Sequence, residues 1–142
     1  MAQLKRSLIL PNDIGTVPQL NEFIDSLAEE IGLDMSLTMS LNLAIEEAVV
    51  NVMNYAYPIG ESGHVEIEAV ADDKWLSFII RDSGIAFDPT TKEDADTTLS
   101  AEERPIGGLG IFLVRQLMDV IEYERIDNKN VLVLRKRLGT QE

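Results

Sequence analysis

The sequence predicts a single α+β domain whose strands are mainly antiparallel. Three observations carry that expectation. The 142 residues suit one domain and are too few for two ordinary ones. With 45% hydrophobic and 26% charged residues, the chain can bury a core and is not a disordered polymer. Strand-type alternation arrives in runs joined by short turns, while helical spacing fills the segments before and between them.

Leu4 to Leu10 reads as a first strand, stopped by Pro11-Asn12-Asp13. Thr16-Val17-Pro18-Gln19 reads as a helix start, with Thr16 as the cap and Gln19 three residues later, as in a capping box. Leu20, Phe23, Ile24, Leu27 and Ile31 follow at helical spacing, and Gly32 supplies the stop. Glu22, Asp25, Glu29 and Glu30 make the other face of that helix a solvated one. A second helix is expected from Asp34 or Ser36 to about Tyr55, with Leu37, Leu41, Ala44, Ile45, Ala48 and Val52 as its apolar stripe and Pro58 to Gly63 as its breaker. His64 to Val70 alternates, with Val65, Ile67 and Ala69 on one face. Ala71-Asp72-Asp73-Lys74 is the turn to a partner strand, Trp75 to Arg81. Asp82 to Gly108 shows no sustained period, and a segment that long inside a compact domain reads as a lid or binding loop. Gly110 to Met118 is helical, and Val120–Arg125 with Val131–Arg137 closes the chain as a hairpin around Asp127 to Asn130.

Composition narrows the function. Lys and Arg number 12 against 25 Asp and Glu, a formal net charge of -13, which argues against a nucleic-acid or anionic-membrane surface. There is no Cys and only one His, which removes disulfides, thiolate catalysis and Cys- or His-rich metal sites. No apolar run approaches ~18 residues, and Lys5-Arg6 before Ser7 to Leu10 is too short for a signal-peptide core, so a cytoplasmic protein is expected. An acidic domain that binds a phosphate compound must do so through backbone amides or a metal ion.

Three clusters have the makings of such a site. Glu47 and Asn51 stand four apart on the second helix, on one face and about one turn apart. The carboxamide oxygen suits a hard cation and the carboxylate suits a proton acceptor, although E-x-x-x-N alone also describes an ordinary helix surface. Asp82-Ser83-Gly84-Ile85-Ala86 follows a strand directly; Gly84 permits a close backbone approach, and Asp82 can accept from an exocyclic amine, against the plainer reading of a polar turn. Gly107-Gly108-Leu109-Gly110 opens a helix, where small residues expose N–H groups at the positive end of the helix dipole. It is neither a Walker A loop nor a dinucleotide fingerprint, and a hinge would look the same.

Taken in order, these clusters resemble the GHKL (Bergerat-fold) ATPase and kinase superfamily, in which an Asn-bearing helix, a D-x-G turn and a Gly-rich turn succeed one another. The likeness runs from roughly Leu4 to Leu138. Glu47 to Asn51 before Tyr55-Ala56-Tyr57-Pro58, Asp82-Ser83-Gly84 with Phe87-Asp88-Pro89, and Gly107 through Asp119 are most similar to the stand-alone anti-sigma-factor serine/threonine kinases of bacterial partner-switching systems.

The resemblance implies a two-layer sandwich, a mixed, mainly antiparallel sheet covered on one face by about three helices, with residues 1–142 forming one domain and an ATP lid at about 87–106. It implies ATP and Mg2+ as ligands, with Asn51 on the metal. Asp82 would accept from the adenine amino group, and Gly84 would admit the ring. Gly108 and Gly110, with Gly107 and the amides around Leu109, would cradle phosphate, and Tyr55 and Ala86 complete the nucleotide-binding set. Glu47 would take the proton of an attacking serine hydroxyl, and Arg104 is the candidate for meeting the γ-phosphate. Ala86 stands where many relatives have Gly. The first helix has no Arg or Lys, whereas the family's helix contributes a basic residue to partner recognition. The implied partners are a small antagonist (STAS-type) protein as phosphate acceptor and a sigma factor as client, in a homodimer, with neither nucleic acid nor membrane. The alternatives are a non-catalytic ATP-responsive binding module and a detached histidine-kinase catalytic domain; against the latter, the 142 residues contain no dimerisation-phosphoacceptor segment or sensor.

Four further residues are expected to be structural. His64 reads as a surface or turn residue, Trp75 as a buried strand anchor, and Lys136-Arg137 as edge charges on the last strand.

Overall fold

The computed structural model describes residues 3–57, 62–88 and 110–138. Its strands are β1 (Leu4–Pro11), β2 (His64–Ala71), β3 (Trp75–Asp82), β4 (Val120–Ile126) and β5 (Lys129–Arg137). Its helices are α1 (Val17–Ile31), α2 (Met35–Tyr55) and α3 (Gly110–Leu117). Among the described residues the sheet has five strands in the order β1-β2-β3-β5-β4, and every pairing is antiparallel. This is the expected α+β architecture, a sheet with helices on one face.

Period-2 alternation decides which face is covered. Along β2 and β3 every second residue is buried, and the register Ile67↔Ile80 and Phe78↔Leu134 aligns these positions across the sheet. They pack against Leu20, Ile24 and Leu27 of α1, against Leu41, Ile45, Val49 and Val52 of α2, and against Val114 of α3. Each fully buried Leu, Ile or Phe of that set stabilises the fold by about 1.5–3 kcal/mol.

The helix ends follow local chemistry. Asp34 caps α2, its Oδ1 accepting from the Leu37 N–H at 2.7 Å. Gly32 ends α1 in the left-handed region at φ 76°, with Leu33 N–H donating to the Ala28 carbonyl at 2.9 Å. The expected Thr16 capping box does not form. A short 3-10 turn, Ile14–Thr16, precedes α1; Asp13 caps it, and the Thr16 hydroxyl donates back to the Asp13 carbonyl at 2.6 Å. Pro18 in the first turn of α1 has no N–H to cap.

The β4–β5 hairpin turns on Asp127 and Asn128, both at positive φ (52° and 65°), a conformation that suits the right-handed twist of two-residue hairpins and that Asp and Asn tolerate. Trp75 corrects the expectation of a buried anchor. It lies half-buried on the face of the sheet away from the helices, with the Arg135 guanidinium 4.5 Å and that of Arg137 5.4 Å from its ring centre. The first residue of β3 falls on the outer phase of the alternation, so the apolar ring is covered by cationic side chains rather than by core. Of the expected breaker Pro58 to Gly63, residues 58–61 lie outside the described residues. No described helix is long and apolar enough to cross a membrane.

Candidate functional site

The C-terminal half of α2 and the turn after β3 meet at one end of the sheet. Glu47 and Asn51 lie on α2 one turn apart, about 6 Å along its axis. Asn51 is only 3% exposed and Glu47 is half-buried, so the pair sits at the margin of the apolar stripe rather than out in solvent. The Asn51 Nδ2 donates to the Glu47 carbonyl at 2.9 Å, which leaves the carboxamide oxygen as the atom Asn51 can offer a cation. Burial pushes the Glu47 carboxyl above the usual glutamate range, and the neighbouring Glu46 carboxylate pushes it further the same way. A carboxylate so disposed is a better proton acceptor than a solvated one.

Asp82 ends β3 at 4% exposure. Its Oδ1 accepts from the Gly84 N–H at 2.8 Å and from the Asn130 Nδ2 at 2.9 Å. Both of its described hydrogen bonds fall on Oδ1, so Oδ2 is the oxygen left to meet a ligand donor. Desolvation raises the Asp82 carboxyl above the ordinary aspartate range; the bonds from Asn130 and Gly84 and the charge of Arg125 act the other way but do not cancel it.

The two parts are fastened by Ala56, the C-cap of α2. Its carbonyl accepts from the Ile85 N–H at 2.7 Å. A Cβ built on Gly84 would lie 2.2 Å from that same oxygen. The close approach that Gly84 permits here is thus helix end against turn. Tyr57, buried, adds a second fastening: its hydroxyl donates to the His64 carbonyl at 2.8 Å and accepts from the Ser83 N–H at 3.0 Å. One helical turn beyond Asn51, the Tyr55 ring stacks on Phe87 with centroids 5.5 Å apart.

A family model described as a histidine kinase-like ATPase domain matches residues 10–136. The chain belongs to that family. This histidine kinase-like ATPase domain is 29% identical over 103 residues to the serine-protein kinase RsbW of Listeria monocytogenes serovar 1/2a, covering 70% of this chain and 66% of that protein. It is 30% identical over 98 residues to the serine/threonine-protein kinase BtrW of Bordetella bronchiseptica, 69% of each. A match to the RsbW of Halalkalibacterium halodurans, 28% identical over 138 residues, covers 89% of this chain and 83% of that protein. The match to the Listeria kinase thus spans just under two thirds of that relative's length.

Within this histidine kinase-like ATPase domain, Glu47, Asn51, Tyr55, Asp82, Gly84 and Ala86 are therefore carried on two elements that touch. Ala86 is exposed, in the turn after Gly84. Gly110 begins α3, whereas Arg104, Gly107, Gly108 and Leu109 lie outside the described residues, as does most of the expected lid. Among the described residues no three His, Asp or Glu gather to hold a metal. A single carboxamide oxygen still fits Mg2+ carried by a nucleotide, because that ion keeps several waters and takes much of its coordination from phosphate oxygens.

Asn130 is the residue that sequence reasoning missed. Placed there in the turn of the closing hairpin, it is instead 3% exposed and joins four groups. Besides Asp82, its Nδ2 donates to the Ile85 carbonyl at 2.7 Å, while its Oδ1 accepts from the Phe87 N–H at 3.1 Å and the Tyr123 hydroxyl at 2.5 Å. The pairing Asp82↔Asn130 puts it there, and that register is not visible in an isolated stretch of chain. Arg125, expected only as a strand residue, reaches the same turn: its Nη1 donates to the Gly84 carbonyl at 3.0 Å, placing a cation over it.

Proposed function

We propose that this chain is an ATP-dependent protein serine/threonine kinase of the anti-sigma-factor type, transferring the ATP γ-phosphate to a serine or threonine of a small antagonist protein. The observation that carries the reading is the pairing, one turn apart on α2, of a half-buried carboxylate of raised pKa with a buried carboxamide. The likeness to proteins named as serine and serine/threonine kinases supports it.

In this reading Asp82 accepts the adenine amino group through Oδ2 and is held in place by Asn130. Tyr55, Gly84 and Ala86 border the base. Asn51 would hold Mg2+ through its amide oxygen, and the ion, when bound, neutralises charge on the phosphates. Backbone amides from Gly107 to Gly110 would receive phosphate oxygens, and Arg104 would meet the γ-phosphate. Glu47 accepts the proton of the acceptor hydroxyl as its oxygen bonds to the γ-phosphorus and the bond to the ADP oxygen breaks. Positioning and charge neutralisation supply most of the catalysis in such a transfer. A sigma factor is the client whose release the transfer controls.

The test is transfer of label from γ-labelled ATP to candidate antagonist proteins of the same genome. Labelling of one of them on a serine or threonine is expected. ATP binding with no protein labelled would replace the kinase by an ATP-responsive binding module.

The pH dependence has a defined sign. Glu47 works as a base only when ionised, and its carboxyl is raised. Transfer should therefore fall with decreasing pH through a midpoint above the usual glutamate range. Glu46→Gln removes the smaller of the two causes and should move that midpoint down, yet not back to the usual range, because burial is the larger cause. A midpoint unmoved by Glu46→Gln would mean that another group titrates.

A further inference from the structure

The outer face of α2 is apolar where a surface helix is ordinarily polar. Met35, Met39 and Leu43, spaced by four along one face, are 78%, 62% and 53% exposed. The neighbouring α1 shows the ordinary pattern, with Glu22, Asp25, Glu29 and Glu30 exposed on its outer side. Helix α2 therefore carries one apolar stripe into the core and a second toward solvent.

The outward stripe leads to the site. Another step of four from Leu43 is Glu47, about 6 Å further along the axis. The stripe is also edged by acid on its α1 side. Asn42, next to Leu43, donates to Asp25 of α1 at 3.0 Å, and Glu46 accepts from Asn21 of α1 at 3.2 Å. No basic residue occurs in either helix. The surface is thus an apolar ridge with carboxylates along one flank and Glu47 at its end.

We propose that Met35, Met39 and Leu43 are the docking ridge for the protein whose hydroxyl is phosphorylated, and that this protein brings an apolar patch bordered by Lys or Arg. The inference rests on the kinase reading above. An acceptor hydroxyl that reaches Glu47 belongs to a molecule lying over this part of α2, and the acidic flank selects a basic border on it. The ridge supplies the desolvated anchor and the flank supplies the orientation.

The double variant Met39→Gln/Leu43→Gln tests this, because Gln keeps helix propensity and neither side chain is in the core. The probe is the antagonist protein that the wild type labels, and the readout is steady-state transfer. KM for that protein should rise at least about ten-fold, with kcat at saturation and ATP affinity retained. For the wild type, KM should also rise with added salt. An unchanged KM in a variant that still labels the protein overturns the docking ridge and leaves the kinase reading standing. Loss of self-association in sedimentation with KM unchanged overturns it in favour of a second copy of this chain as the occupant. A KM indifferent to salt overturns the basic border. If the wild type binds ATP and labels nothing, the kinase reading fails and the docking proposal falls with it.

Discussion

Glu47→Gln is expected to reduce phosphotransfer by about 100- to 10,000-fold, the range typical of losing a positioned general base, while ATP affinity stays within about two-fold. The substitution keeps the shape and removes only the ionisable oxygen. Because burial and Glu46 both oppose ionisation of Glu47, the folded state loses no favourable charge. The variant's Tm should equal or exceed that of the wild type, which separates a catalytic effect from an unfolding one. Initial rates of label transfer, nucleotide titration and a thermal scan on the same preparation read all three quantities. Full activity in Glu47→Gln would assign the base elsewhere.

Gly84→Ala is expected to give the largest combined loss of stability and binding. The added methyl would sit 2.2 Å from the Ala56 carbonyl oxygen, which is backbone and cannot swing aside. The turn must lift from the end of α2, stretching the bond from the Ile85 N–H to that oxygen and the Gly84 N–H bond that Asp82 receives. Such overpacking costs about 2–3 kcal/mol, a fall in Tm of roughly 5–10 °C for a chain of this size. The displaced Asp82 should weaken ATP binding by at least about ten-fold. Ser83→Ala in the same turn is the control, since Ser83 is exposed and takes part in the described bonds through its backbone N–H, and it should change neither quantity. A Gly84→Ala protein as stable as the wild type would show that the helix end and the turn are not packed as described.

What could be read in the chain, and what could not, follows from the range of the interactions. The alternation of Val65, Ile67 and Ala69 and the spacing of Leu20, Ile24 and Leu27 are local, and the structure bears both out; of the expected turn Asp127 to Asn130 only Asp127 and Asn128 turn, Lys129 and Asn130 belonging to β5. Glu47 and Asn51 could be placed on one helix face because the helical period alone does so. The role of Asn130 depends on which strand β5 joins and in what register, and Gly84 meets Ala56 only because β3 ends under α2. Neither fact is encoded within a short window. The phase of Trp75 escapes a local reading for the same reason: alternation shows that residues divide between two faces, and only packing shows which face is covered. Helix α2 is apolar on both sides, so its spacing alone does not separate the inward stripe from the exposed Met35, Met39 and Leu43.

The central claim is that α2 and the β3 turn together form a site for a metal-bound nucleotide, with Asn51 as its metal-facing residue. Calorimetric titration of ATP into wild type and Asn51→Ala, each with Mg2+ and with excess chelator, tests it most directly. Wild-type affinity should fall at least about ten-fold when Mg2+ is removed, whereas Asn51→Ala should bind weakly and equally in both conditions, its Tm without ligand little changed. An Asn51→Ala protein that binds ATP as tightly as the wild type, with the same dependence on Mg2+, would contradict the account.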